Sequence, residues 1–262
     1  MSNEHILYLK KKKQHKKWIL ITQFIIFVAF IVIWEVASQC HFINPFLTSS
    51  PSNVVKTIFK LYSEGTLFNH LFITTYEAII SFALGTIIGL IIASIMWWNN
   101  FIAKVLNPYL TVLNSLPKVA LGPILIIWTG ANIKSIIIMA LLISVIVTVI
   151  SLYHGFSNVD ENKIKLLRSF KARKRQIFFD LILPSNMKTI INALKINISM
   201  SLIGIIMGEL LVSKEGIGYL IMYGSQVFNL NLVMTGIVLL CILSFAMYYA
   251  IVIIEKKLIK YN

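Results

Sequence analysis

Apolar residues run along this chain in stretches of about twenty, the length a helix needs to cross a bilayer at 1.5 Å per residue. Six stretches read this way, at residues 18–38, 76–98, 105–128, 135–152, 190–212 and 233–254. They predict an all-α integral membrane protein of six transmembrane helices. The third stretch is irregular, because Pro108, Pro117 and Pro123 with Gly122 interrupt it. Backbone groups freed by such breaks are tolerated at membrane depth only where protein or a water-filled cavity satisfies them, so this span is not expected to face lipid throughout. Gly85 with Gly89, and Gly204 with Gly208, put small residues four apart in apolar helices. That spacing predicts close helix contact.

Between the fourth and fifth stretches lies a segment of different character, VDENKIKLLRSFKARKRQIFFDLILP, at residues 159–184. Asp160 suits a helix N-cap and Glu161 the positive end of its dipole. Ile164, Leu167 and Phe170 then recur at spacings of three, Leu166 joins them through the four-residue step, and Lys165, Arg168 and Lys171 line another face. A second apolar piece, 177–183, closes at Pro184, which disfavours helix at Leu183. The expectation is a bent pair of short helices, basic on one side and apolar on the other. Pattern alone leaves two readings open: a helix lying on the lipid surface, or a docking element for a groove in a partner protein.

Composition and charge sharpen the picture. With 58% hydrophobic and 13% charged residues, the chain is more apolar than a soluble domain, at roughly 45–50%. The formal charge of +14 is gathered in short runs beside the spans, as membrane orientation requires, and nucleic acid is not an expected partner. Lys10, Lys11, Lys12, Lys13, Lys16 and Lys17 precede the first span, and Lys256, Lys257 and Lys260 follow the last. Six crossings put both ends on one side, so both termini and the 159–184 segment are expected in the cytoplasm. The first span follows a basic run like a signal peptide, yet no small-residue cleavage site follows it, so it reads as a retained anchor. The implied organisation is a basic tail at 1–17, a transmembrane domain at 18–254 that includes a cytoplasmic loop at 153–187, and a second tail at 255–262.

The fifth span carries polar residues in a stripe: Lys188, Asn192, Lys195 and Ser199 recur at four, three and four. Glu209 falls only about 40° off that line. A carboxylate in a span is costly and faces a cavity or a partner. Glu209 is therefore a candidate pathway or gate residue, or else a group that ties down the following SKEGIGYLI segment. Glu35 and Glu77 read as interfacial structure. The cationic residues of the stripe hint at anions, though orientation bias is a sufficient cause for them. No Gly-Lys dipeptide exists for a phosphate loop, so no ATP site of that kind is expected. The five histidines show no ligand spacing, and Asp160 and Asp180 are the only aspartates. Cys40 and Cys241 stand far apart, so neither a metal site, nor a cofactor, nor a disulfide framework is expected.

Residues 160–184 resemble the EAA loop of ABC importer inner-membrane permeases. Asp160, Arg168, Ser169, Phe170, Ala172, Ile177, Leu183 and Pro184 match like residues in the sulfonate, taurine and nitrate branch. The chain departs from the signature where KLL stands for the acidic and small triplet, at Lys165, Leu166 and Leu167, and where Lys171 replaces a glycine. SSPSNVVKTI at 49–58, LNSLPKVALGPILIIWTGANIKS at 113–135 and GELLVSKEGIGYLI at 208–221 are similar to three further blocks of that family, in order. The resemblance implies a type I, MetI-like permease architecture in a bacterial cell membrane. It further implies a homodimeric conduit contacting membrane lipid, a separate ATP-binding cassette ATPase gripping the loop from Asp160 to Pro184, and an external substrate-binding protein. The implied solute is small, sulfonate-, taurine- or nitrate-like, or a vitamin precursor. Pro117, Asn192, Lys195, Ser199, Gly208, Glu209, Ser213, Gly216 and Gly218 are the expected path or gate residues. A self-sufficient secondary transporter or channel is the alternative.

Overall fold

The computed structural model describes the backbone of residues 3–259. Lys260 lies outside the described residues, as do the side chains of Lys10 and Lys16. The elements are helical throughout: α1 Asn3–Gln39, α2 Pro45–Thr48, α3 Pro51–Ser63, α4 Leu67–Trp98, α5 Asn100–Ser115, a 3-10 turn Lys118–Leu121, α6 Gly122–Thr129 and α7 Ile133–Ser157. They continue as α8 Glu161–Ser169, α9 Lys174–Gln176, a π-helical stretch Ile177–Ile182, α10 Leu183–Ser185, α11 Met187–Val212, α12 Ile217–Gln226 and α13 Leu230–Ile259. Five helices are long and apolar enough to cross a membrane: α4, α7, α11, and α1 and α13 through 11–39 and 230–257. The pair 100–115 and 118–129 makes a sixth candidate, bent by 88°.

Glycine positions define the central packing. A Cβ on Gly85 would lie 2.8 Å from Ser144 Oγ and one on Gly89 2.6 Å from Thr148 Cγ2. The partner numbers rise together, so α4 and α7 run parallel. Gly204 and Gly208 of α11 pack on the backbone of Ala140 and Ile136, with partner numbers running oppositely, so α11 is antiparallel to α7. Small residues at these crossings let the backbones approach closely, as the spacing predicts. Because α4 and α7 point the same way, the chain between them must return from one end of the bundle to the other. The bent segment α5–α6 makes that return, and it counts as a crossing.

The break in this segment differs from the expected one. Pro108 sits inside α5 without ending it, and Pro123 occupies the first turn of α6, where its missing N–H costs nothing. The chain turns at Leu116, which is extended (φ −65°, ψ 142°) as a residue before proline prefers. The second crossing also differs: it starts nine residues earlier than its apolar run suggests, at Leu67. Glu77 therefore stands three turns inside the helix and is 0% exposed, not interfacial. Its polar first turns disguised the start, because packing against α11 and α12 buries His70 and Thr74.

Around α4, α7 and α11 the outer helices are more open. Lys195 of α11 pairs with Glu255 at 2.7 Å, which brings the C-terminal part of α13 to the same end as the start of α11. Among the described residues, the apolar window of α1 is not buried by the rest of the bundle, as suits a helix exposed to lipid.

Candidate functional site

Two sites stand at opposite ends of α11. At its start, the polar segment folds back under the bundle. Asp160 Oδ1 accepts from Asn162 N–H at 2.9 Å, the expected N-cap of α8. The helix ends in a Schellman motif: Lys171 N–H donates to Arg168 O at 2.9 Å and Ala172 N–H to Leu167 O at 3.0 Å. That closure requires a left-handed residue, and Lys171 takes it with φ +58°. The family pattern has glycine here because glycine adopts this conformation without a Cβ penalty. The lysine keeps the turn and pays the strain.

Beyond the turn the chain is anchored by one aromatic. Phe178 is buried and meets Trp97 at 5.0 Å, Trp98 at 5.6 Å and Phe156 at 5.8 Å between ring centroids. Lys174 Nζ also donates to Trp98 O at 2.5 Å, so both C-terminal ends of α4 and α7 hold the loop. Leu183, expected to leave the helix before Pro184, remains helical with φ −61° and ψ −51°. The wider π-turn is the reason: Leu183 N–H reaches back five residues to Phe178 O, a local loosening of the ladder that accommodates the proline.

The apolar face of α8 is divided. Ile164 and Leu167 turn inward and pack with Ala172 against the cluster of Leu152, Phe156, Ile177, Phe178 and Ile182. Leu166 at 58% and Phe170 at 75% exposure form a separate apolar tip, flanked by exposed Arg168, Ser169 and Lys171. The sequence placed Leu167 and Phe170 on one face; the helix is so short that its C-terminal turn swings Phe170 outward.

At the other end of α11, Glu209 is 1% exposed and acts within the bundle. Glu209 Oε1 accepts from Thr74 Oγ1 at 2.6 Å, and Oε2 accepts from Gly218 N–H at 2.5 Å. The neighbouring donors find α4: Ile217 N–H reaches Thr74 Oγ1 at 2.8 Å and Gly216 N–H reaches His70 Nδ1 at 3.0 Å. Three successive N–H groups at the start of α12 are thus satisfied by side chains of α4 and α11, and a carboxylate at a helix N-terminus is favoured. Gly216 (φ +106°) and Gly218 leave room for the carboxylate, since a Cβ on either would lie within 2.6 Å of Glu209 atoms. Ser213 Oγ bonds Glu215 O and rounds the turn.

Other expected path residues are spread differently. Lys188, Asn192 and Ser199 are exposed along one face of α11, while Lys195 is partly buried with Glu255. Gly208 is buried against Ile136, and Pro117 is exposed at the 88° bend. His70, Thr74, Glu77, Trp97, Trp98 and Phe178 were missed. A signal for three of them was present, because His70, Thr74, Glu77, Ser81 and Gly85 recur at helical spacing. Among the described residues no group of three His, Cys, Asp or Glu side chains could hold a metal.

Residues 85–260 match the family model described as binding-protein-dependent transport system inner membrane component. The chain belongs to this family of ABC transporter permeases. It is similar to the formylaminopyrimidine transport permease protein ThiX of Halalkalibacterium halodurans, 30% identical over 193 residues covering 74% of this chain and 76% of that one. It is also similar to the putative aliphatic sulfonates transport permease protein SsuC of Bacillus subtilis, 26% identical over 254 residues, 97% of this chain and 92% of that one. An inward-facing structure of the MetNI methionine ABC transporter shares the fold with a TM-score of 0.67 at 18% identity, covering 74% of this chain and 97% of that one. The permease fold is therefore MetI-like, and the chain is a multi-pass transport subunit.

Proposed function

We propose that this permease forms the solute path of an importer in a bacterial cell membrane and is driven by a separate ATPase that grips the tip of α8. Two copies would form the path, and a substrate-binding protein would deliver the solute from outside. The observation that carries the reading is the tip itself: Leu166 and Phe170 are exposed on a short basic helix whose base is clamped to the bundle through Phe178. An apolar tip on a rigid base fits a partner's groove. The inward packing of Ile164 and Leu167 removes half of the apolar face that a lipid-surface helix would use.

The basic runs at 1–17, 160–175 and 255–262 give the orientation: each is cytoplasmic under the positive-inside bias. Closure of the ATPase pair would then tilt the helix bundles by rigid-body motion. The solute is small and lies in the range of the relatives' names, from an aliphatic sulfonate to a formylaminopyrimidine. Leu166→Asp with Phe170→Ala tests the reading. The variant chain is expected to insert normally but to retain at least tenfold less of the cognate ATPase on purification and to lose uptake. Full ATPase retention by the variant would refute it.

A further inference from the structure

Glu77 lies in the interior of the bundle with its carboxyl group unpaired. It is 0% exposed, and neither carboxyl oxygen receives a hydrogen bond from any donor among the described residues. One turn earlier on α4, Thr74 donates its hydroxyl to Glu209, and Glu77 meets that same Glu209 carboxyl group. Two carboxyl groups thus adjoin each other inside a membrane-embedded bundle. An ionised carboxylate without a partner is strongly disfavoured there, and two side by side are more so. Ionisable groups at such depth carry function far more often than they merely pack.

Side chains do not supply the missing positive charge. On α4 the nearby titratable group is His70, whose Nδ1 accepts from Gly216 N–H and whose ring stacks on Tyr219 of α12 at 6.0 Å. An imidazole that accepts at this nitrogen is neutral. From α7 and α13, the apolar Ile136, Ala140, Leu243 and Met247 share a cluster with Ala78, the next residue of α4. Lys214 and Glu215 in the turn before α12 are exposed, as is Lys134 at the start of α7. Among the described residues no lysine or arginine forms an ion pair with Glu77 or Glu209. The two carboxyl groups are also unequal. Glu209 accepts from Thr74 Oγ1 and from Gly218 N–H at the N-terminus of α12, which makes it the better seat for a negative charge. Glu77 receives no donor, so it is the better seat for a proton.

We propose that Glu77 and Glu209 form a proton-binding site, in which Glu77 holds one proton and donates it in a hydrogen bond to the Glu209 carboxylate. The pair then carries a single negative charge, set against the amides that open α12. The proton makes the junction of α4, α11 and α12 a latch. Its loss places two negative charges against each other, and Glu209 can draw away only by giving up Thr74 and Gly218, which frees the start of α12. The inference stands on this junction alone and holds whatever solute the chain carries.

Infrared absorption of the full chain in phosphatidylcholine vesicles tests the site, because a protonated carboxyl group absorbs apart from carboxylates. At neutral pH the wild type is expected to show a carboxylic-acid band that Glu77→Gln removes. Glu255→Gln should leave that band in place, since Glu255 is paired with Lys195 at 2.7 Å. Glu77→Gln keeps an N–H donor towards Glu209, so its α12 junction is expected to stay closed. Raising the pH to about 10 should remove the wild-type band and loosen the turn before α12. Tryptic cleavage after Lys214 is then expected to be on the order of tenfold faster in the wild type than in Glu77→Gln, and equal in the two at neutral pH. Absence of the band at neutral pH overturns the proposal. A band that appears only when sodium ions are removed gives the site to a metal cation and overturns it as well. Equal cleavage of the two proteins at the higher pH refutes the latch. Should Glu77→Gln fail to fold, the wild type decides alone: a band present at neutral pH and lost at the higher pH supports the shared proton, and any other result refutes it.

Discussion

Lys171 shows how a residue can obey a fold that its own type resists. The Schellman closure of α8 demands a left-handed residue, and a lysine there carries strain of about 1 kcal/mol that glycine does not. Lys171→Gly is therefore expected to stabilise the loop by about that amount, slowing hydrogen exchange at the Ala172 amide roughly fivefold; unchanged or faster exchange would show that the lysine makes a compensating contact. The backbone demand was invisible beforehand because residue type argued against it, whereas the Asp160 cap was legible because capping is local and depends on a side chain of the right length. Glu77 was misplaced for a different reason. Its neighbours Thr74, Thr75 and Tyr76 look like a span end, and only the packing of α11 and α12 over this region makes the burial of Thr74 and Glu77 intelligible.

Among elements, the stretch from Ile177 to Ile182 holds α8 in place. A π-turn has no periodic signature of its own, so the sequence could show the apolar run and its proline but not the wide turn that joins them. Phe178 is the pivotal contact, with Trp97, Trp98 and Phe156 around it. Phe178→Ala should destabilise the element by about 3–5 kcal/mol, as for other buried aromatic truncations. Limited proteolysis between 160 and 176 should then accelerate sharply while α4, α7 and α11 stay protected; equal protection of the loop in both proteins would show that Phe178 is not its anchor. The break in the third crossing was legible as a break, yet three prolines offered three places for it. Only Pro117 breaks the helix, since a proline in a first turn such as Pro123 fits the helix and Pro108 is absorbed inside α5.

At the scale of the whole molecule, the count of crossings followed from apolar length and charge placement, while the arrangement did not. Nothing in the periodicity of α4 and α7 states that they run parallel. The paired glycine contacts state it, and they make α5–α6 a crossing despite its 88° bend. A membrane-impermeant thiol reagent should accordingly reach Asn100→Cys and Lys134→Cys, on the two sides of the bent pair, from opposite faces of the membrane. Labelling of both from one face would make the bent pair a re-entrant loop and overturn the orientation proposed for the termini.

The glycine seams of α11 have one more consequence. Backbone contacts at Gly204 and Gly208 tie this 26-residue helix, about 39 Å long, closely to α7, so it is expected to move as one body. Its first residues adjoin the Phe178 anchor and its last carry the carboxylate that fastens α12. On the importer reading proposed above, a tug on α8 would therefore be felt as a shift of α12, with no relay of separate parts in between.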